Sequence, residues 1–94
     1  MASKRLEVAF TSAFRRDIKR ETRRGSDLSK LLSVLIALSL GEQLAPARQD
    51  HALTGNYAGY RECHIAPDWL LVYRTDADGD LLVAARTGSH SDLF

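Results

Sequence analysis

The sequence predicts an α+β fold: a small antiparallel sheet in β-α-α-β-β-β order with an N-terminal α-hairpin packed on one face. Two observations carry this. Apolar residues recur at helical spacing through residues 10–38, and beyond Tyr60 the pattern changes to short runs rich in Leu, Val and Tyr with turn residues between them.

Taken in order, Arg5 to Ala9 alternates weakly and reads as a first strand. Thr11 or Ser12 supplies a side-chain oxygen to cap a helix running to about Arg24, with Phe10, Phe14 and Ile18 as its apolar side. Arg15, Arg16, Lys19, Arg20, Arg23 and Arg24 cover the rest of it. Gly25 stops this helix, and Ser26-Asp27 caps a second whose core-facing positions are Leu28, Leu31, Leu32, Leu35 and Leu38; Gly41 ends it. Gln43 to Gly55, with Pro46, reads as an irregular connection. Strands follow at Tyr60 to Ile65, Trp69 to Thr75 and Leu81 to Thr87, separated by a turn at Ala66-Pro67-Asp68 and a hairpin loop at Asp76 to Asp80 containing Gly79.

Ninety-four residues make one domain, 1–94. A single cysteine, Cys63, excludes an intrachain disulfide and fits a reducing cytoplasm. The longest apolar run, Leu31 to Leu40, is about half of what a bilayer span needs, and charges interrupt the N-terminal segment where a secretory signal would be apolar. A cytoplasmic protein without membrane contact is expected. The net charge of +1 hides an asymmetry: residues 1–25 carry eight Lys/Arg and three Asp/Glu (+5), which leaves five and nine (−4) for residues 26–94. A basic N-terminal quarter suits an RNA backbone, an acidic partner or plain solvation.

All three histidines fall in the last 44 residues, each in a short polar motif: His51 in HALTG, His64 in YRECHIAPDW and His90 in RTGSHSDLF. Imidazole exchanges a proton near neutral pH. RNA carries its own nucleophile, the 2′-hydroxyl, so its cleavage needs a base, an acid for the leaving 5′-oxygen, and positive charge for the phosphorane. His64, Asp68, Arg86 and His90 are those residue types, and a small ribonuclease is the expectation. Strand parity puts His64 opposite Cys63 and Ile65, toward an open face. Arg86, closing the last strand, offers a two-pronged phosphate contact. Trp69 and Phe94 are either packing residues or stacking platforms for a splayed base. Two further patterns fail on spacing or geometry. Asp76-Ala77-Asp78-Gly79-Asp80 has its glycine at the fourth place and Thr87 at the twelfth, so it is not a calcium loop. A zinc site from His51, Cys63, His64 and His90 would need adjacent residues on opposite sheet faces.

The stretches Asp50 to Arg74 (DHALTGNYAGYRECHIAPDWLLVYR) and Arg86 to Phe94 (RTGSHSDLF), about a third of the chain, closely resemble the YafQ-type toxins of the RelE/ParE superfamily, the toxin halves of type II toxin–antitoxin pairs. The resemblance implies an mRNA interferase, a metal-independent endoribonuclease without cofactor that cuts mRNA in the ribosomal A site and stops translation. It places the catalytic set on His51, His64, Asp68, Arg86 and His90, and substrate contacts on Trp69, Arg86 and Phe94. It implies as partners a cognate antitoxin, mRNA, the ribosome through 16S rRNA, and operator DNA contacted through the antitoxin. Two rivals stand beside it: a ParE-like gyrase poison without nuclease activity, and a non-enzymatic binding module with incidental histidines.

Overall fold

The computed structural model describes residues 5–76, 78 and 80–94. Strand β1 (Glu7–Phe10) leads into helix α1 (Ser12–Arg23), capped by the Thr11 hydroxyl on the Phe14 amide at 3.0 Å. Helix α2 (Leu28–Ser39) follows, capped by Asp27 on the Ser29 amide. Short strand β2 (His51–Ala52) precedes β3 (Arg61–Ala66), β4 (Trp69–Asp76) and β5 (Leu81–Gly88), and a four-residue helix α3 (His90–Leu93) ends the chain. Ala77 and Gly79, where the hairpin loop was expected to turn, lie outside the described residues.

The five strands form one sheet in the order β1-β5-β4-β3-β2. It is mixed rather than antiparallel: β1 pairs parallel with β5, from Glu7↔Leu81 to Phe10↔Ala84, while the other neighbours are antiparallel. The intervening helical pair returns the chain so that its first strand enters beside its last, running the same way. Weak alternation over five residues carries no information on strand direction, and the two-residue β2 is too short to leave a pattern of its own.

The larger core lies between the helices and the sheet, with Phe14, Leu31, Val34, Leu35 and Leu38 against Cys63, Ile65, Leu71, Tyr73, Leu82 and Ala84. The smaller lies on the other face, where Leu70, Val72 and Ala85 meet Leu93 of α3. Because α1 begins at Ser12, Phe10 belongs to β1; it stacks on Phe14 with ring centroids 5.3 Å apart and stays half-exposed. The helix buries a polar stripe instead, Asp17 and Glu21.

That stripe answers a need of β5. Strand β1 ends opposite Ala84, so the outer edge of β5 beyond it has no strand partner. Side chains of α1 and its cap take over. The Thr11 hydroxyl donates to the Ala85 carbonyl at 2.7 Å, the Thr87 amide donates to Asp17 Oδ2 at 3.1 Å, and Arg20 Nη2 donates to the Thr87 carbonyl at 2.5 Å. A buried backbone edge left unpaired would cost about 1–3 kcal/mol per group.

Trp69, read from the sequence as either a packing residue or a stacking platform, lies in the larger core: it is 8% exposed, and its indole N–H donates to Thr87 Oγ1 at 2.8 Å. Thr87 Oγ1 in turn donates to the Leu70 carbonyl at 2.7 Å. With ring and N–H both engaged, no face is free for a base. Trp69→Phe is expected to lower unfolding free energy by about 1–3 kcal/mol, the cost of leaving a buried polar group short of a partner. Equilibrium denaturation checks this, and an unchanged midpoint would return Trp69 to the candidate binding residues.

Candidate active site

The register brings functional side chains to the sheet face opposite the helical pair. His51 lies across from Glu62, Glu62 from Val72 and Val72 from Arg86, so one row crosses β2, β3, β4 and β5; His64 is opposite Leu70 in the next row. Cross-strand partners share a face, so all of these point the way Leu70 and Val72 do. The register of β4 and β5 slips between Val72 and Tyr73, leaving Ala85 as an extra residue. Such a bulge re-aims the side chain that follows it, here Arg86.

The loop before β2 is pinned at two points. Arg48 Nη1 donates to the Ile65 carbonyl at 2.7 Å. Asp50 Oδ1 accepts from Tyr73 Oη at 2.7 Å and from Arg61 Nε at 3.1 Å. Between them Gln49 takes a left-handed conformation, φ 51°, and its carbonyl meets His51 Nδ1 at 2.6 Å. A carbonyl only accepts, so Nδ1 is the donor here, and Nε2 lies 3.9 Å from Glu62 Oε1.

At the other end, His90 opens α3. Its Nδ1 is 3.1 Å from Asp68 Oδ1, which also accepts the His90 amide at 3.2 Å. These bonds from His90, side chain first, hold the Asp68 carboxyl below the usual carboxylate range. Asp68 is therefore an ionised acceptor that orients the imidazole and presents Nε2 outward. The His64 and His90 rings are 6.0 Å apart between centroids. Phe94 is 60% exposed and meets Tyr57 edge-on at 5.4 Å.

Arg86 is held from α1. Its Nε and Nη2 donate to the two oxygens of Asp17 at 2.7 and 3.1 Å. Burial opposes ionisation of Asp17, but hydrogen bonds from Arg86, Thr87 and Arg20 keep its carboxyl below the ordinary value.

The structure thus gathers His51, His64, Asp68, Arg86 and His90 on one side of the sheet with Phe94 nearby, and leaves Trp69 out. It adds Glu62, which the sequence reading missed: a buried carboxylate with donor atoms of Glu62, His64 and His90 within 4.8 Å of one another. Its signal was present, since Glu62 and His64 stand two apart on one strand and share a face. Oxygen and imidazole donors suit a borderline cation such as copper or zinc, so this trio is able to hold one. The rejected zinc set fails as expected, because Cys63 is fully buried and burial pushes its thiol up to about 12. The trio reaches ligand geometry through Glu62 instead.

Helix α3, which carries His90, is latched to α1. The Ser89 hydroxyl accepts from the Asp92 amide at 3.2 Å and Asp92 Oδ2 accepts from the Ser89 amide at 2.9 Å, a reciprocal cap. Arg24 grips Asp92 through both Nη atoms at 2.6 and 3.0 Å. Gly88 permits this approach: a Cβ there would lie 2.9 Å from Asp92 Cβ and closer still to Arg20 Nη2. The Arg24 bond, then those from Ser89, depress the Asp92 carboxyl far below its usual range. A depressed carboxylate stabilises above its unfolded pKa, about 4, and that contribution is lost as pH falls below it. The melting-temperature gap between the parent and Asp92→Asn is therefore expected to be widest near pH 6 and to shrink by pH 3; a gap independent of pH would show that the latch is not ionic.

Residues 6–94 match the family model described as the bacterial toxin of the type II toxin–antitoxin system, YafQ. The mRNA interferase toxin YafQ of Escherichia coli K12 is 36% identical over 90 residues, 94% of this chain and 95% of that one. A metal-bound toxin from Helicobacter pylori superposes with a TM-score of 0.89 at 39% identity, covering 95% of this chain and 99% of the other. YafQ in the E. coli DinJ–YafQ toxin–antitoxin complex superposes with a TM-score of 0.86 at 32% identity, covering 96% and 98%. A shared fold and a family match from β1 to the last residue leave one conclusion: the chain belongs to the YafQ family of type II toxin–antitoxin toxins.

Proposed function

We propose that this toxin is an mRNA interferase, a metal-independent endoribonuclease that cuts mRNA in the ribosomal A site and so arrests translation. The observation that carries the reading is the placement of His64 and His90, rings 6.0 Å apart, beside Glu62 and Asp68 and on the face reached by Arg86. That spacing accommodates a phosphate between two imidazoles. One imidazole takes the 2′-hydroxyl proton, and the 2′-oxygen attacks phosphorus. The bond to the 5′-oxygen breaks, and the other imidazole returns a proton to that oxygen. The products are a 2′,3′-cyclic phosphate and a 5′-hydroxyl. His90 is the main proton carrier, held by Asp68. His51, backed by Glu62, assists in positioning, Arg86 stabilises the phosphorane, and Phe94 supports a base. Exposed Arg15, Arg16, Lys19 and Arg23 of α1 supply phosphate contacts to ribosomal RNA.

RNA brings its own nucleophile, so no step requires a metal. Copper or zinc held by Glu62, His64 and His90 would occupy the imidazole lone pairs that proton transfer uses, and the metal-loaded form is inactive on this reading. Primer extension on one mRNA during translation in vitro tests the proposal. Codon-phased cuts are expected that need ribosomes, persist in chelator, fade with added copper, and fall by about 100-fold or more in His90→Ala. Cuts in naked RNA would remove the ribosome from the reading. A folded, toxic His90→Ala variant without any RNA cuts would favour gyrase poisoning.

The same reading assigns the antitoxin a place. The outer side of the helical pair carries an open apolar groove of about 700 Å³ lined by Phe10, Phe14, Ile18, Leu28, Leu31 and Leu32, with Arg15 and Lys19 also lining it. Apolar floor and basic side chains fit an amphipathic antitoxin helix with acidic flanks, and an RNA backbone would leave the floor unsatisfied. Leu32 is 57% exposed in the free toxin. Burying it is worth about 1.5–3 kcal/mol. Leu32→Asp should therefore weaken the toxin–antitoxin complex by at least about tenfold by calorimetry and leave cleavage unchanged. An unaltered affinity would move the antitoxin off this groove.

A further inference from the structure

We propose that Asp17 is the positioning residue for Arg86: it fixes which edge of the guanidinium meets the scissile phosphate. The inference rests on the reading of Arg86 as the phosphate-binding arginine. Asp17 is 69 residues away in sequence, on α1, and only 3% exposed. Each of its oxygens accepts two hydrogen bonds. Oδ1 takes Arg20 Nη1 at 2.8 Å and Arg86 Nη2 at 3.1 Å; Oδ2 takes Arg86 Nε at 2.7 Å and the Thr87 amide at 3.1 Å. A carboxylate has about four acceptor sites, so this one is saturated and cannot rotate without losing partners.

The fork takes the Nε/Nη2 edge of Arg86 and leaves Nη1 outside it. A planar guanidinium held on one edge has its other edge fixed in direction. The Thr87 amide belongs to the next residue of β5, so Asp17 ties the Arg86 head group to the backbone of its own strand. The arrangement suits orientation better than charge. Arg20, Arg24 and Arg86 face Asp17, Glu21 and Asp92, three cations against three anions, so Asp17 damps the positive field at Arg86. A carboxylate that offsets the positive field of a phosphate-binding arginine contributes to the rate through placement, and a misplacement of about 1 Å is enough to cost about 100-fold.

A thermodynamic cycle separates placement from plain stability. Single-turnover cleavage of ribosome-bound mRNA and the mRNA dissociation constant are measured for the parent, Asp17→Asn, Arg86→Ala and the double variant, each corrected for its folded fraction. Asp17→Asn is expected to cut the rate constant by about 10–100-fold with binding nearly unchanged, and to have no further effect when Arg86 is already alanine. A loss of equal size in both backgrounds would mean that Asp17 acts independently of Arg86, and that result overturns the proposal. So does a full rate in Asp17→Asn while Arg86→Ala is impaired. If Arg86→Ala cleaves at the parent rate, Arg86 leaves the site and the positioning role goes with it. Should Asp17→Asn fail to fold, Asp17→Glu keeps the buried charge but shifts its reach, and the same dependence on Arg86 is required of it.

Discussion

The open edge of β5 is the constraint from which the rest of the molecule follows. β1 covers this strand only as far as Ala84, yet the residues the site needs come after that point: Arg86, Thr87, Gly88 and then the α3 segment. Helix α1 closes the edge with side chains where a strand would use its backbone. Thr11, Asp17 and Arg20 satisfy the Ala85 carbonyl, the Thr87 amide and the Thr87 carbonyl in turn. A strand there would pair the edge but would present no carboxylate to Arg86. Closing the edge from a helix therefore does two things at once: it removes a row of orphan groups, and it delivers a fixed anion to the arginine.

Legibility in the sequence follows the range of the interaction involved. Helix caps are local, so Thr11 and Asp27 were readable, and so were the three long strands, whose apolar runs need no knowledge of partners. The cap at Ser89-His90-Ser91-Asp92 was equally local; its serine-to-acid spacing signals a helix start at His90 that the reading passed over. What lay out of reach was pairing at a distance. Nothing near β1 specifies a parallel partner, nothing near Asp17 announces Arg86, and nothing near Trp69 shows that Thr87 takes its N–H. The resemblance named the site histidines, but only the register shows that Glu62 stands in their row.

Charge shows the same gap between count and arrangement. The +5 of the first 25 residues treats all eight cations alike. In the fold they divide. Arg20, partly buried, and Arg24, at the surface, are engaged by Asp17, Glu21 and Asp92, where they hold α1 to β5 and α3. Arg15, Arg16, Lys19 and Arg23 stay exposed. The surface available to a phosphate backbone or an acidic protein is thus smaller than the count implies, and part of it borders the apolar groove between the helices. A protein helix seated in that groove would cover cations that a phosphate backbone would also use, so on the proposed function neutralisation would not require a blocked active site.

The functional side chains share one construction. His51 gives Nδ1 to the Gln49 carbonyl, His90 gives Nδ1 to Asp68, and Arg86 gives Nε and Nη2 to Asp17. In each, one end is fixed by an acceptor with no competing donor role. An imidazole free at both nitrogens would sample both tautomers and many rotamers, and would present the reactive lone pair only part of the time. On the proposed function, holding Nδ1 makes Nε2 the nitrogen that faces substrate. The cost is that the fixing groups must themselves be held. That explains why Asp68 takes the His90 backbone amide, why Asp17 takes that of Thr87, and why Gln49 occupies a left-handed turn between two anchors. A fold of this size leaves little core to spare for such demands, so it meets them with backbone groups, the Thr87 amide among those that the short β1 strand leaves unpaired.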